Sequence, residues 1–178
     1  TLDGGSDTDT ADYSAESNPV SVILYGNQIS GVSIGEDSVT GIEVVIGTTH
    51  ADLMYGNEDA NRFEGGAGAD TLDGAGGADT LLGQDGNDLL NGLAGNDSIL
   101  GGDGLDSING GAGNDQLFGE GGNDFIDGAL GNDLINGGDG VDTLIGMSGG
   151  TLDTLTGGDG TDSFWLDAAE TITRSEER

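Results

Sequence analysis

The chain has almost no positive charge, no cysteine and no long apolar run. Its 178 residues include 3 Lys and Arg against 34 Asp and Glu, which gives a formal net charge of -31. A charge of this sign and size repels nucleic acid and anionic membrane surfaces, so we expect neither as a partner. No apolar run approaches the roughly 18 residues of a membrane span. The absence of cysteine is compatible with an extracellular bacterial protein without requiring one.

The first residues also lack the features of a secretory leader. "TLDGGSDTDTADYS" has no initial methionine, no basic segment and no apolar segment, so no signal peptide is visible. The sequence therefore reads as an excerpt of a longer protein.

Glycine and acidic residues dominate what is present. Glycine supplies 38 residues, and only 33% of the chain is hydrophobic. Such a composition is often disordered. Alternatively, bound cations neutralise the charge and convert self-repulsion into binding energy. The order of the residues distinguishes these two interpretations.

A nonapeptide repeat runs from Gly47 to Trp165. It comprises about thirteen units in one register, including one unit of eleven residues, "GMSGGTLDTLT". The eighth position is always large and apolar: Met54, Phe63, Leu72, Leu81, Leu90, Ile99, Ile108, Leu117, Ile126, Ile135, Leu144, Leu155 and Phe164. A disordered acidic linker has no reason to maintain this phase. Each unit predicts a glycine turn followed by a very short strand, and one apolar residue per unit requires the units to stack as a solenoid.

An acidic side chain recurs at the sixth position of the repeat. The candidate metal ligands are Asp52, Asp70, Asp79, Asp88, Asp97, Asp106, Asp115, Asp124, Asp133, Asp142, Asp153 and Asp162. Carboxylates and turn carbonyls are hard oxygen ligands, and Ca²⁺ accepts six to eight of them in a flexible shell. Mg²⁺ requires a stricter geometry, and Zn²⁺ prefers cysteine or histidine, of which the chain has only His50. The pattern therefore predicts calcium.

These units resemble the RTX proteins, whose nonapeptide is G-G-x-G-x-D-x-U-x with U a large apolar residue. "GGAGADTLD", "GGDGLDSIN" and "GGAGNDQLF" match it without exception, and the resemblance covers about residues 47–165. It implies an all-β, right-handed parallel β-roll with two nonapeptides per turn and calcium between successive turns. It also implies type I secretion from bacteria, with folding in external calcium. Seven loops on one side and six on the other leave at most about eleven gaps for ions, which would reduce the charge to about -9.

Departures from the pattern fall in two places. His50 and Asp59 replace fourth-position glycines, and Asn61 replaces an aspartate, so the sites within residues 47–64 are in question. The long unit at 146–156 adds two residues before Asp153, which enlarges a turn without changing the strand phase.

The sequence divides into three segments. Residues 1–46 contain one degenerate unit, "GGSDTDTAD", and two strand-like stretches, "PVSVILYG" and "GIEVVIG", which predict an N-terminal β cap. Residues 47–165 form the roll. Residues 166–178 form a C-terminal tail that we expect to be loose, while Phe164, Trp165 and Leu166 plug the end of the roll.

The ninth position differs between the two sides of the predicted roll. On one side it reads Asp73, Asn91, Asn109 and Asp127, a ladder of polar side chains. On the other side, Leu82, Leu100 and Phe118 predict an exposed apolar stripe. A covering segment, a parent-protein domain or self-association would explain the stripe, and scattered surface leucines without a role remain an alternative.

Nothing in the sequence predicts catalysis. "GMSGG" at 146–150 fits G-x-S-x-G formally but interrupts a repeat, and acidic pairs recur in every unit whereas an active site occurs once. We expect a calcium-induced folding module of a larger secreted, extracellular protein that supports its secretion and stability. The alternatives are a self-assembling or adhesive element and an accessory module of a secreted enzyme.

Overall fold

The protein is an all-β solenoid in its computed structural model, which describes residues 2–25, 28–31, 35–147, 152–166 and 171–173. Every regular element in these ranges is a β-strand. The strands are β1 (Leu2–Asp3), β2 (Thr10–Asp12), β3 (Val20–Ile23), β4 (Gln28–Gly31), β5 (Gly35–Thr40), β6 (Val44–Ile46), β7 (Leu53–Tyr55), β8 (Arg62–Ala67), β9 (Thr71–Asp73), β10 (Thr80–Asp85), β11 (Leu89–Ala94), β12 (Ser98–Gly104), β13 (Ser107–Ala112), β14 (Gln116–Gly122), β15 (Phe125–Leu130), β16 (Leu134–Gly140), β17 (Thr143–Gly146), β18 (Thr154–Gly160), β19 (Ser163–Leu166) and β20 (Thr171–Thr173). In this part of the chain, no helix is long and apolar enough to cross a membrane.

Successive strands alternate between two sheets. The 11-stranded sheet has the order β1-β5-β4-β3-β7-β9-β11-β13-β15-β17-β19, and the 9-stranded sheet has the order β2-β6-β8-β10-β12-β14-β16-β18-β20. Within the repeats all pairs are parallel, and partners before the long unit are 18 residues apart, as in Leu81 with Ile99 and Leu90 with Ile108. Two nonapeptides therefore make one turn, and the predicted parallel β-solenoid is confirmed, with about seven turns.

The core is a double column of eighth-position side chains. From Met54 to Leu155, each of these residues is at most 1% exposed. The column is as regular as the sequence because strand alternation turns the eighth-position side chain inward, while the next inward position in the regular repeats is a glycine, as Gly83 is after Leu81. The long unit preserves this phase as predicted: Ile135 pairs with Leu155 and Leu144 with Phe164, each across 20 residues. Ser148, Gly149, Gly150 and Thr151 of this unit, which include part of "GMSGG", lie outside the described residues.

The N-terminal segment continues both sheets. β2 pairs in parallel with β6, and β3 pairs in parallel with β7, so Ala11 and Val22 extend the two core columns. The two strand-like stretches expected from the sequence contain β3 and β6. The antiparallel strands β4 and β5, which join them, were not predicted. The register of the roll begins before residue 47, since β6 already pairs with β8 across 18 residues.

The C-terminal end differs from the expected plug. Phe164 and Leu166 pack against the core, but Trp165 is 55% exposed, because strand alternation turns it to the opposite face. The prediction for Trp165 is therefore wrong. Within the tail expected to be loose, residues 171–173 form β20, which pairs in parallel with β18. Residues 167–170 and 174–178 lie outside the described residues.

Candidate metal centre

The sixth-position aspartates lie inside the turns rather than on the surface. Each one immediately precedes a strand, two residues before a core side chain, so its own side chain shares the inward direction. The eleven aspartates from Asp52 to Asp153 are between 1% and 3% exposed, whereas Asp162 is half-buried. The fold therefore arranges the twelve predicted ligands in two columns, one along each edge of the roll.

One oxygen of each carboxylate is used by the backbone. The N–H of Asp70 donates to Oδ1 of Asp88 at 2.8 Å, and the N–H of Asp97 donates to Oδ1 of Asp115 at 2.8 Å. The same bond recurs at 18-residue spacing along both columns. Across the long unit the spacing becomes 20 residues, with Asp133 donating to Asp153 and Asp142 to Asp162. These bonds fix the orientation of every carboxylate in the column.

The second oxygen of most carboxylates has no protein donor. In the described part of the chain, Oδ2 is buried and accepts no hydrogen bond in Asp70, Asp79, Asp88, Asp97, Asp106, Asp115, Asp124, Asp133 and Asp142. We call the nine units that contain them, residues 65–145, the regular units. Burying an ionised carboxylate without a compensating partner costs several kcal/mol. Nine such oxygens in two columns therefore need either a bound cation or a proton.

Glycine leaves the space around these oxygens open. A Cβ on Gly83 would overlap both Oδ2 of Asp88 and the carbonyl oxygen of Gly101 in the next turn. A Cβ on Gly86 would overlap the carbonyl oxygen of Gly68 in the preceding turn. Each regular loop therefore brings carboxylate and carbonyl oxygens together where only a residue without a side chain fits.

The environment of the columns raises the pKa of their carboxyl groups. From the usual 3.8, the pKa rises to about 7 in Asp70, Asp79 and Asp133, and to about 6 in Asp88, Asp115 and Asp124. Burial is the largest cause, and neighbouring aspartates add repulsion, as Asp88 and Asp52 do for Asp70. The backbone N–H that donates to Oδ1 lowers the pKa, but it offsets only part of this rise. In this protein environment alone, the ionised form is unfavourable.

These residues fit a calcium ion. No group of three or more acidic, histidine or cysteine side chains that could hold a metal occurs among the described residues. Side chains alone therefore do not complete a site, and the glycine carbonyls must contribute. A mixed set of carboxylate and carbonyl oxygens is typical of Ca²⁺, which accepts many ligands in a flexible geometry. The sixth-position aspartates with the turn carbonyls of adjacent loops would hold the ion.

We call residues 47–64 the first turn. Its two sixth-position residues, the predicted ligand Asp52 and Asn61, differ from those of the regular units. Asp52 accepts hydrogen bonds from the N–H and the hydroxyl of Thr48 and from the N–H of Val20, so both its oxygens have protein donors. Asn61 accepts the N–H of Asn57 through Oδ1, and its buried Nδ2 has no acceptor among the described residues. The first turn thus presents donors or satisfied oxygens where the regular units present a bare oxygen. This agrees with the sequence departures in these units.

A ladder of asparagine side chains, which the sequence did not lead us to expect, also links successive turns. Asn96 accepts the N–H of Asn114 at 2.7 Å, and Asn114 accepts that of Asn132 at 2.9 Å. On the other edge Asn87 accepts the N–H of Leu105, and Asn123 accepts that of Val141. The signal was the asparagine before the aspartate in several units. These exposed bonds stabilise the stacking of the turns without a metal.

The predicted apolar stripe forms but is less exposed than expected. Leu82, Leu100 and Phe118 are consecutive partners in β10, β12 and β14. Each is half-buried, because its neighbours in the column shield it. On the opposite sheet Asp73, Asn91, Asn109 and Asp127 pair in register as the predicted polar ladder. A partner for the stripe stays a prediction.

Comparison with known proteins identifies the repeats. The family model of the RTX calcium-binding nonapeptide repeat matches residues 46–81, 82–117, 100–135, 118–152 and 136–169, which together cover more than half of the chain. No curated protein matches the chain. The matched residues include all nine regular units with their buried carboxylates. This chain therefore belongs to the RTX calcium-binding nonapeptide repeat family.

Proposed function

We propose that the chain is a calcium-driven folding module of a larger secreted protein, without catalytic activity of its own. The proposal is carried by one observation, the nine buried Oδ2 atoms of the regular units that have no protein donor in the part of the chain that the structure describes. Only the stacked turns bring these oxygens close to the turn carbonyls. Calcium therefore binds the folded chain and not the unfolded one, and its binding free energy becomes folding free energy.

The charge of the chain makes this coupling strong. At a net charge of -31, the cation-free chain repels itself and favours expanded states. In a cytosol with little free calcium we expect the chain to stay expanded, as export through a narrow channel requires. In millimolar external calcium, sites of about 10⁻⁴ to 10⁻³ M would fill and stabilise the roll. The family resemblance supports this role in type I secretion and in extracellular stability.

Far-UV circular dichroism tests the proposal directly. We expect little β structure in excess chelator and a cooperative gain of β structure on titration to millimolar calcium. Magnesium at the same concentration is the matched control and should produce a much smaller gain, because it retains its waters. Equal β content in chelator and in calcium would show that the carboxylate columns do not couple folding to the ion.

Self-association is a second candidate, favoured by the in-register stripe. Leu82, Leu100 and Phe118 form a continuous apolar strip across three strands. We expect the mass measured by light scattering in calcium to exceed that of one chain, and Leu100→Asp to abolish the excess. A single-chain mass for the wild-type protein at all concentrations argues against this function.

A further inference from the structure

The degenerate unit at residues 4–12 has the local structure of a regular unit, although it lies outside the residues matched by the family model. Gly4 and Gly5 occupy its first two positions, Asp9 the sixth and Ala11 the eighth. Ala11 is 3% exposed and pairs with Val45, so the unit is stacked on the roll in the correct phase.

Asp9 repeats the hydrogen bonds of the aspartate columns. Its N–H donates to Oε2 of Glu43 at 3.0 Å, so Glu43 takes the place of the next aspartate in the column. Its carbonyl accepts the N–H of Val44 at 3.0 Å, as Asp70 does from Leu89. The connection between the two loops is 34 residues instead of 18, because β3, β4 and β5 are inserted between them.

The carboxylate of Asp9 also carries a bare oxygen. Its Oδ2 is shielded from solvent and accepts no hydrogen bond in the described part of the chain. A Cβ on Gly4 would lie 2.7 Å from this Oδ2 and would overlap the carbonyl oxygen of Gly41. Gly65 stands in the same relation to Oδ2 of Asp70 and the carbonyl oxygen of Gly83. Both loops therefore place an aspartate Oδ2 and a glycine carbonyl oxygen beside a glycine, although Gly41 lies two residues before Glu43 whereas Gly83 lies five residues before Asp88.

The backbone φ angle at position two of the loop distinguishes this unit from the first turn. All nine regular units have a positive φ at position two, as in Gly66 at 106° and Gly102 at 114°. Gly5 has a φ of 101°, whereas neither Thr48 nor Asn57 adopts a positive φ. In the first turn the N–H of position two donates to the sixth side chain, and in the unit at 4–12 the Oδ2 stays bare. The unit departs from the repeat at two positions: the fourth is the exposed Asp7 instead of glycine, and the eighth is Ala11 instead of a large apolar residue.

We propose that Asp9, with the carbonyl oxygen of Gly41, forms a divalent cation site at the N-terminal end of the roll. The first turn, which lies inside the matched repeats, contributes no aspartate with a bare oxygen, and the unit at 4–12, which lies outside them, does. The site fixes β2 against β6 and so closes the end of the 9-stranded sheet. This inference rests on the proposed calcium binding of the regular units.

Native mass spectrometry of the full chain in saturating calcium tests the site. Asp9→Asn should bind one ion fewer than the wild-type protein. Asp12→Asn is the matched control, because it removes the same charge from the same unit at an exposed side chain whose Oδ1 accepts the N–H of Ser14. This control should keep the wild-type number of ions. An unchanged count in Asp9→Asn overturns the site.

A measurement on the wild-type protein covers the case in which Asp9→Asn does not fold. In crystals grown with calcium, long-wavelength anomalous diffraction should show a peak within ligand distance of Asp9 Oδ2, in addition to peaks beside Asp115 and its equivalents. Peaks beside Asp115 without one beside Asp9 overturn this inference alone. The absence of peaks at both places contradicts the proposed function itself.

Discussion

The first turn and the regular units have the same core but different loops. Met54 and Phe63 are as fully buried as Leu72 and Leu81, and all four lie in the same register. The carboxylates differ, because Asp52 is held by three protein donors whereas Asp70 keeps a bare, buried Oδ2. Matching the apolar phase is therefore enough to join the roll, but it does not by itself create a metal ligand.

Protonation of the buried carboxylates should have the largest effect, because it changes the stability of the regular units more than that of the first turn. Burial raises the pKa of all the sixth-position carboxyls in the regular units above the usual 3.8, for example to about 7 in Asp70 and to about 6 in Asp88. Between roughly pH 4 and 7 the folded chain therefore binds more protons than the unfolded chain, and the free energy of unfolding without calcium increases as the pH falls through this window. Calcium affinity should change in the opposite direction, because protons compete for the same oxygens.

Hydrogen exchange in calcium-free buffer at about pH 7.5 and about pH 5 measures this effect by region. We expect amides of the regular units to gain protection at the lower pH, together with β structure in circular dichroism. Lower β content at the acidic pH contradicts the sign derived from the raised pKa values.

Exchanging the acid and the amide between the two regions should have the next largest effect. Asp115→Asn should lose one bound ion and lower the free energy of unfolding by about 2 to 3 kcal/mol when calcium is near a hundred times the dissociation constant. Asn61→Asp should gain one ion, because it places an oxygen where the buried Nδ2 now lies with no acceptor among the described residues.

Ion counts and calcium-dependent denaturation curves report both changes. Asp103→Asn is the control, since this aspartate is exposed and stands outside the two columns. If Asn61→Asp binds no additional ion while Asp115→Asn loses one, the backbone of the first turn, and not its side chain, prevents binding.

The smallest expected effect concerns position two of the loops. Leu93 adopts a φ of 71°, which costs a residue with a side chain about 1 to 2 kcal/mol, and its side chain is 46% exposed. Leu93→Gly should therefore raise the free energy of unfolding in calcium by up to about 1 kcal/mol, after the greater entropy of glycine in the unfolded chain is subtracted.

The same substitution at position two of the first turn, Thr48→Gly, should change the free energy of unfolding in the opposite direction. Thr48 has no positive φ to relieve, and its hydroxyl donates to Asp52, so this variant should be less stable by about 1 kcal/mol. Urea denaturation midpoints in millimolar calcium compare the two variants. Equal shifts in the same direction would mean that position two does not distinguish the regions.

Much of the fold could be predicted because the repeat is local. The phase of Leu117 and its equivalents indicated the core, and the unit length indicated where each turn falls. The antiparallel strands β4 and β5 were not predicted, since their sequence lacks the period of the repeats and their pairing joins segments of the N-terminal region to each other. The exposure of Trp165 was missed because apolar character was taken as burial without regard to strand alternation.

By itself, the sequence determined the apolar column, the aspartate in each turn and the family, because these depend only on residue type and spacing. Only the tertiary structure decided which carboxylate oxygens lack a protein donor. Residue type at position two does not decide it, since Leu93 and Glu120 adopt a positive φ whereas Thr48 does not. Asp52 is satisfied by Val20, 32 residues away, and Asp9 meets Glu43 across 34 residues. Such hydrogen bonds depend on which distant backbone groups the fold brings together, and no local pattern contains that information.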